Sequence, residues 1–577
     1  MESQLALLGA LGVLIIVVVS YFAPKLGVAA PVILVLLGVG ASFIPGAPEF
    51  ELPPEFVLMV VLPPILYSAA VNVPIVDFRR NVKAISGLSV LLVLVSAFVT
   101  GFVFHLLVPD LSMAAAVALG AVISPPDAVA ATSIGKRLGL PARLVTVLEG
   151  EGLVNDATAL VLLRTAIAAT GGAVSFLGAA GEFFYAVAAG VAIGVVVGIL
   201  SVWARSKLDD SVLTTAISFA VPFIAYMPAE QLGASGVVAV VTAGLITGHQ
   251  SAKHFSAQDR ISERINWRTA QLILENGVFL VMGYEMHVLI GHVEEKGESV
   301  TEALLLGLLA TGVLLVVRVL FVTPLIATLR RDQREARKRS PRVDRALERL
   351  AAADSPNTKR SKRWHRATRI LQRRQADLDF LASEGLGWRG GAVIAWAGMR
   401  GVVTLAAAQS LPTLIPHQPQ LVLTAFTVAL ITLVVQGGTL PLLIRLLGIK
   451  GSSAAADRIE LAEVVDEIGR IGSALLDNPD LKQPNGQSYD KKVVSQVRVD
   501  TARISAAMSE SANLDHPGPQ AQRRALRARV LQAERAALLD ARSRGVYSSR
   551  VLERAQAILD AEETRLRHLG GSGDGHR

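Results

Sequence analysis

Apolar residues in this chain gather in blocks of about 20, each long enough to cross a hydrocarbon core of about 30 Å as a helix. Thirteen such blocks can be drawn, over residues 5–23, 26–44, 54–71, 84–108, 112–134, 142–168, 178–204, 210–227, 232–248, 269–290, 303–329, 388–411 and 420–447. The pattern predicts an all-α polytopic membrane protein of about 13 transmembrane helices, with its termini on opposite sides. The first block opens Met1-Glu2-Ser3-Gln4, without a basic segment, and no small-residue cleavage site follows it. It therefore reads as a first spanning helix and not as a removed signal.

The polar intervals orient the chain. With the N-terminus outside, the inner loops hold Lys25; Arg79, Arg80 and Lys83; Lys136, Arg137 and Arg143; Arg205 and Lys207; and Lys253, Arg260, Arg264 and Arg268. The outer loops hold Lys296, and otherwise Glu49, Glu51, Asp110, Glu230, Glu294 and Glu295. Cytoplasmic loops carry the excess of Lys and Arg, so the split predicts a multi-pass protein of a bacterial inner membrane, N-terminus outside and C-terminus cytoplasmic.

Two stretches are not membrane. Residues 330–387 form a basic insertion containing RRDQREARKRS and KRSKRWHRATRILQRR, expected as a cytoplasmic helical hairpin near anionic headgroups. Residues 451–577 are charged, Ala-rich and helical in period, and predict a cytoplasmic helical tail behind a transmembrane domain of residues 1–450. Charged residues make up only 18% of the chain and the mean hydropathy is positive, which excludes an ordinary soluble protein. The absence of cysteine excludes disulfides and thiolate metal sites. The net charge of +8 resides in inner loops, insertion and tail, so no nucleic-acid partner is expected.

Ionisable residues inside spans are costly and mark function. The sixth span, VTVLEGEGLVNDATALVLLRTAIAA, holds Glu149, Glu151, Asp156 and Arg164. Glu151 with Asn155, and Gly152 with Asp156, stand four apart and share one helix face, with Gly152 leaving room beside the oxygens. Carboxylate and amide oxygens suit a hard cation, and a carboxylate equally suits a proton. In the fifth span Pro125 and Pro126 break the helix near Ser124–Asp127, at membrane depth. Such backbone is tolerated only in a cavity or inside protein. In the twelfth span Gly398 and Gly401 loosen the helix around Arg400. Spans 1–6 and 8–13 thus read as two inverted repeats with a broken helix at matching places, a pointer to a midplane ion site.

Other intramembrane groups carry weaker signals. Arg318 lies at the depth of Glu151, so the two can pair. Arg164, near the outer end of its span, is expected to snorkel. Glu149 reads equally as an access-funnel or a structural residue, Glu275 and Glu285 as capping or pairing groups, and His105 as interfacial.

The segments LPPILYSAAVNV (62–73), ISPPDAVA (123–130), LEGEGLVNDA (148–157) and GMRGVVTLAAAQSLP (398–412) together resemble the NhaP-type cation/proton antiporters, which include the sodium/proton exchangers. The resemblance implies a homodimer whose core domain carries two crossed broken helices. It also implies that Asp156, with Asn155, binds the ion and the proton, that Asp127 is the carboxylate at the first break, and that Glu151 pairs with Arg318. Arg400 matches the arginine of the second broken helix. The sequence departs from the family at Pro126 where threonine is common, at Gly152 where serine is common, and at Ser68 where an acidic residue is common. Backbone carbonyls or water must fill those places, and Pro126 and Ser68 are counted with Asp156, Asp127 and Asn155 as candidate ion- and proton-binding residues.

The expectation is an electroneutral antiporter rather than an enzyme. It would serve pH homeostasis, with Na+ and H+ competing for Asp156 and Asp127 and no cofactor. The alternatives are K+/H+ exchange (or Li+) by the same mechanism, a membrane channel or sensor, and an intramembrane protease using Asp127 and Asp156; the last leaves Asn155 and the double proline without a role.

Overall fold

The computed structural model describes residues 2–46, 48, 51–108, 110–171, 176–352, 359–383, 385–449, 454–478, 481–483, 486–510, 519–543 and 549–569. Glu49 and parts of the insertion and tail lie outside them. Among these residues the protein is all helical. The only strand-like pairing is an isolated bridge between Lys482 and Ser488.

The chain forms two units, Met1–Gly451 and Ser452–Arg577. The first begins with α1 (Glu2–Leu26), α2 (Ala30–Ser42), α3 (Pro54–Asn72) and α4 (Ile75–Leu107). The interrupted pair α5 (Met113–Ile123) and α6 (Ala128–Arg137) leads into α7 (Ala142–Thr170). Then come α8 (Phe176–Arg205), α9 (Ser211–Gln231), α10 (Gly236–His254), α11 (Ala257–Tyr284) and α12 (Met286–Glu295). The last part holds α13 (Val300–Ala352), α14 (Lys359–Ser383), the interrupted pair α15 (Trp388–Trp396) and α16 (Val402–Gln409), and α17 (Gln418–Leu447).

Among the described residues, ten helical stretches are long and apolar enough to cross a membrane. The other three segments expected from the sequence correspond to the shorter α2, to α10, and to the α15–α16 pair. Large apolar side chains stand exposed along these helices, among them Leu7, Phe184, Trp203 and Leu320. In water such faces would aggregate; in a bilayer they meet acyl chains.

Two helix groups make up this unit. In one, α4, α5, α6, α7, α13, α15, α16 and α17 pack around a large alanine- and leucine-rich core. In the other, α3, α8, α9, α10 and α11 enclose a second core that includes Tyr67, Val221, Val240 and Trp267. A small cluster of Val57, Val61, Val278 and Ala406 joins α3 and α11 to α16.

Some boundaries differ from the sequence reading. Helix α11 starts at Ala257, not near residue 269. A capping box starts it: the Ser256 hydroxyl accepts from Asp259 N–H, and the Asp259 carboxylate accepts from Ser256 N–H. Arg260, Arg264 and Arg268 therefore lie on a helix rather than in a loop. Arg205 is likewise not a solvated loop cation. It is buried and pairs with Glu263 at 2.7 Å, beneath the Phe255 ring. Glu263 had carried no signal, because the segment around it reads as polar loop.

The 53-residue α13 passes without a break from the apolar region into the basic insertion, where α14 folds back against it. Acidic residues dock this hairpin onto the first helix group. Asp332 meets Lys83 at 2.6 Å, and Asp377 meets Arg80 at 2.8 Å and Arg79 at 3.1 Å.

The second unit consists of α18 (Ala454–Leu476), α19 (Lys491–Glu510), α20 (Pro519–Ser543) and α21 (Ser549–Leu569). It is held by ion pairs such as Arg535 with Asp560 and Glu563.

The Arg205–Glu263 pair generates a stability prediction. Glu263→Gln strands a buried guanidinium, which typically costs about 3–5 kcal/mol. The melting temperature in detergent should fall clearly, while an unchanged value would mean that Arg205 finds water instead.

Candidate ion-binding site

The two interrupted helices meet at their breaks. Helix α5 stops at Ile123 and α6 starts at Ala128, as the two prolines require. Asp127 caps α6, its Oδ1 accepting from Val129 N–H at 2.8 Å. Its own N–H donates across to the carbonyl of Met399, in the second break, at 2.6 Å.

That second break spans residues 397–401, between α15 and α16. Its Arg400 reaches back: Nε donates to the Ile123 carbonyl at 2.9 Å and Nη2 to the Ser124 carbonyl at 3.3 Å. Arg400 Nη1 donates to the Gly398 carbonyl. Arg400 N–H donates at 3.0 Å to the hydroxyl of Thr432, which a widened turn of α17, Thr432–Gln436, offers to the break. A cation thus closes the C-terminal end of one half-helix and an anion opens the N-terminal end of the next, the signs the helix dipoles favour. At Gly401 a Cβ would run into the Asp127 carboxylate, so only glycine lets the breaks approach this closely.

Helix α7 crosses beside them. Asn155 is buried, and its Nδ2 donates to the Pro126 carbonyl at 2.5 Å. Pro126 thus contributes a backbone oxygen. Asn155 Oδ1 has no partner among the described residues. Asp156, next in sequence, is half-buried and makes no hydrogen bond or ion pair among the described residues. It is close enough to Asp127 for the two carboxylates to repel. The space expected beside Gly152 is not open: a Cβ there would meet the Ala128 side chain at 2.5 Å. The missing side chain seats α6 against α7.

One helical turn before Asn155, Glu151 points elsewhere. Arg318 Nη1 and Nη2 donate to its two carboxylate oxygens at 2.6 and 2.9 Å, and Arg318 Nε donates to the Ile394 carbonyl at 3.0 Å. Both residues are almost wholly buried. Gly398 leaves room between the guanidiniums of Arg318 and Arg400, where a Cβ would lie 2.9 Å from Arg318 Cδ.

Ser68 makes no hydrogen bond to either aspartate among the described residues. Its hydroxyl donates to Gln271 Oε1 at 3.0 Å, and Gln271 Nε2 donates to Glu275 Oε1 at 2.5 Å. Glu275, which had read only as a capping or pairing group, has no cation partner among the described residues. The spacing Gln271–Glu275, one turn on a helix, was the available signal. Glu285 accepts from Leu52 N–H at 2.8 Å and Gln409 Nε2 at 3.0 Å, stitching three segments together. Glu149 pairs with Lys136 at 2.6 Å. Arg164 pairs with Glu230, which also accepts from Gly236 N–H. His105 Nδ1 lies 2.7 Å from the Leu111 carbonyl.

The arrangement offers two half-buried carboxylates, neither in an ion pair among the described residues, beside backbone carbonyls and the Glu151–Arg318 pair. That is a place for a small cation or a proton.

Known proteins are similar to this chain. The profile of the family described as sodium/hydrogen exchanger, transmembrane, matches residues 13–446. An uncharacterised Na(+)/H(+) exchanger of Mycobacterium tuberculosis is 28% identical over 96% of this chain and 94% of its own. The sodium, potassium, lithium and rubidium/H(+) antiporter of Bacillus subtilis is 31% identical over 47% of this chain and 41% of its own. The solved structure of the sodium proton antiporter MjNhaP1 from Methanocaldococcus jannaschii superposes with a TM-score of 0.56 at 16% identity, over 78% of this chain and all of that one.

The Glu151–Arg318 geometry predicts non-additive energetics. Either single neutral variant, Glu151→Gln or Arg318→Gln, should cost about 3–5 kcal/mol by leaving a lone buried charge. The double variant should recover part of that loss. A double-mutant cycle on melting temperature measures it, and strictly additive losses would show no coupling.

Proposed function

The chain belongs to the sodium/hydrogen exchanger family, and on that footing we propose that it is an electroneutral antiporter exchanging one Na+ for one H+ at Asp156 and Asp127. The observation that carries this reading is the pair of half-buried carboxylates at the crossed breaks, neither with a cation partner among the described residues. A lone charge at this depth is expensive. Each state of the site must therefore hold a cation or a proton, and the two ligands compete.

The charges borne by the first helix group support the stoichiometry. Glu151 and Arg318 cancel. Arg400, bonded to carbonyls, offsets one of the two aspartates. One net negative charge remains, and one Na+ or one H+ neutralises it. Transit of the loaded site then moves no net charge in either direction. Asn155 holds the first break through Pro126 and leaves its Oδ1 beside the pocket. Ser68, through Gln271, serves the approach rather than the ion.

Alternating access follows if the group carrying the breaks moves against the group built on α3 and α8–α11. The apolar cluster of Val57, Val61, Val278 and Ala406 spans that boundary. The loop charges support an outside N-terminus and a cytoplasmic tail in a bacterial cell membrane, and the family supports a homodimer and a role in pH homeostasis. Potassium, lithium and rubidium are in the printed name of the Bacillus subtilis relative. The missing side-chain oxygens at Pro126 and Gly152 favour loose selection, so K+/H+ exchange is the second reading.

Proteoliposomes carrying a pH-sensitive dye test the site. Asp156→Asn should abolish cation-driven proton flux while the protein still folds and inserts, and Asp127→Asn should behave alike. Flux near the wild-type rate in Asp156→Asn would remove the site. Comparing Na+, K+ and Li+ as the driving ion separates the two readings.

The stoichiometry has its own test. A net charge moving across the membrane feels about 2.3 kcal/mol per 100 mV, so electroneutral exchange should be nearly indifferent to an imposed valinomycin–K+ potential with Na+ as the driving ion. A steep voltage dependence would overturn one-for-one exchange.

A further inference from the structure

The basic hairpin takes no part in the exchange chemistry, yet its charges are ordered. On α13, Arg331, Arg334, Lys338, Arg342, Arg345 and Arg349 recur every three or four residues, and all are exposed. That spacing gathers them on one stripe of the helix. Followed backward, the stripe runs through Ala327, Thr323, Leu320 and Val316; Leu320 is 67% exposed and Val316 57%. There it faces acyl chains. The side of α13 that meets lipid is therefore the side on which the cations begin.

Neutralisation within the protein does not account for them. Of the hairpin's acidic residues, Asp332 and Asp377 are spent on Lys83, Arg79 and Arg80, Glu335 pairs with Arg339, and Asp344 and Asp379 accept from Gln375 and Ser340. None of the six stripe cations has a carboxylate partner among the described residues; Arg345 bonds only the Pro341 carbonyl. The returning α14 brings exposed Arg373 and Arg374 back toward the membrane, and the chain re-enters at Trp388, 61% exposed and stacked near Arg389. Tryptophan and arginine together are usual at a headgroup layer. Arg331, Arg334 and Lys338 lie within ~10 Å along the axis at ~1.5 Å per residue, within reach of that layer. Arg345 and Arg349 lie ~20–27 Å beyond Arg331, outside it.

We propose that Arg331, Arg334 and Lys338 bind the headgroups of anionic phospholipids, pinning the hairpin to the bilayer surface. The site takes a phosphodiester carried on a membrane. It is independent of which ion is exchanged.

The full-length protein in mixed phosphatidylcholine–phosphatidylglycerol vesicles, with spin-labelled lipid of either class, provides the test. Wild type should prefer labelled phosphatidylglycerol, less so in high salt. The triple variant Arg331→Gln, Arg334→Gln, Lys338→Gln should lose most of that preference, at about five-fold in affinity per cation. The distal variant Arg345→Gln, Arg349→Gln should retain it, and millimolar glycerophosphate should not compete. Equal preference in wild type and triple variant would overturn the proposal, as would equal losses in both variants. Displacement by glycerophosphate would point to a soluble anion, and cross-linking of these residues to the C-terminal unit to an internal acidic partner; either result would also overturn it.

Discussion

A peptide group that loses its hydrogen bond in hydrocarbon costs several kcal/mol, because no water is there to replace it. Two helices of this protein stop and restart at membrane depth, and everything at the site follows from how their loose backbone groups are satisfied. Each break is repaired largely by the other. Met399 supplies a carbonyl to Asp127 N–H, and Arg400 returns its guanidinium to the carbonyls of Ile123 and Ser124. Thr432 and Asn155 close what remains within reach. The crossing is thus a mutual repair, and neither break would be tolerable alone.

This repair decides which charges are free. Arg400 is committed to carbonyls and cannot also clamp an aspartate in a bidentate pair. Glu151 and Arg318 pair in bidentate fashion, and Arg318 Nε donates to the Ile394 carbonyl. Such a pair repays its desolvation only with near-complete hydrogen bonding, which is what it has. Asp127 and Asp156 are left over. Their availability reflects the saturation of their neighbours as much as their own position. The glycines at 398 and 401 make the density possible, since a side chain at either would overlap Arg318 or Asp127.

The same accounting extends to the cytoplasmic hairpin. Asp332 and Asp377 there turn inward to arginines and lysine of α4, and arginines turn outward along the lipid-facing side of α13. A polytopic protein has two solvents, and a single long helix can present a face suited to each in succession.

Much of this was legible in the linear pattern. Apolar blocks of bilayer length fix the fold class, because a helix is the cheapest way through hydrocarbon and its length is set by the slab. The double proline located the first break, since proline lacks the N–H and excludes its predecessor from the helix. Resemblance brought Asn155, Asp156, Asp127 and Arg400 together before any coordinates did. What sequence could not supply were partners distant along the chain. Arg205 and Glu263 lay in stretches that read as loop, and their burial depends on α8 meeting α11. Arg164 had no visible partner, because its anion, Glu230, is 66 residues away. Ser68 looked like part of the ion site, and only the packing of α3 on α11 turned it toward Gln271. Periodicity and backbone chemistry are local and survive in a string of residues; the sharing of hydrogen bonds between distant segments is not local, and tertiary structure alone decides it.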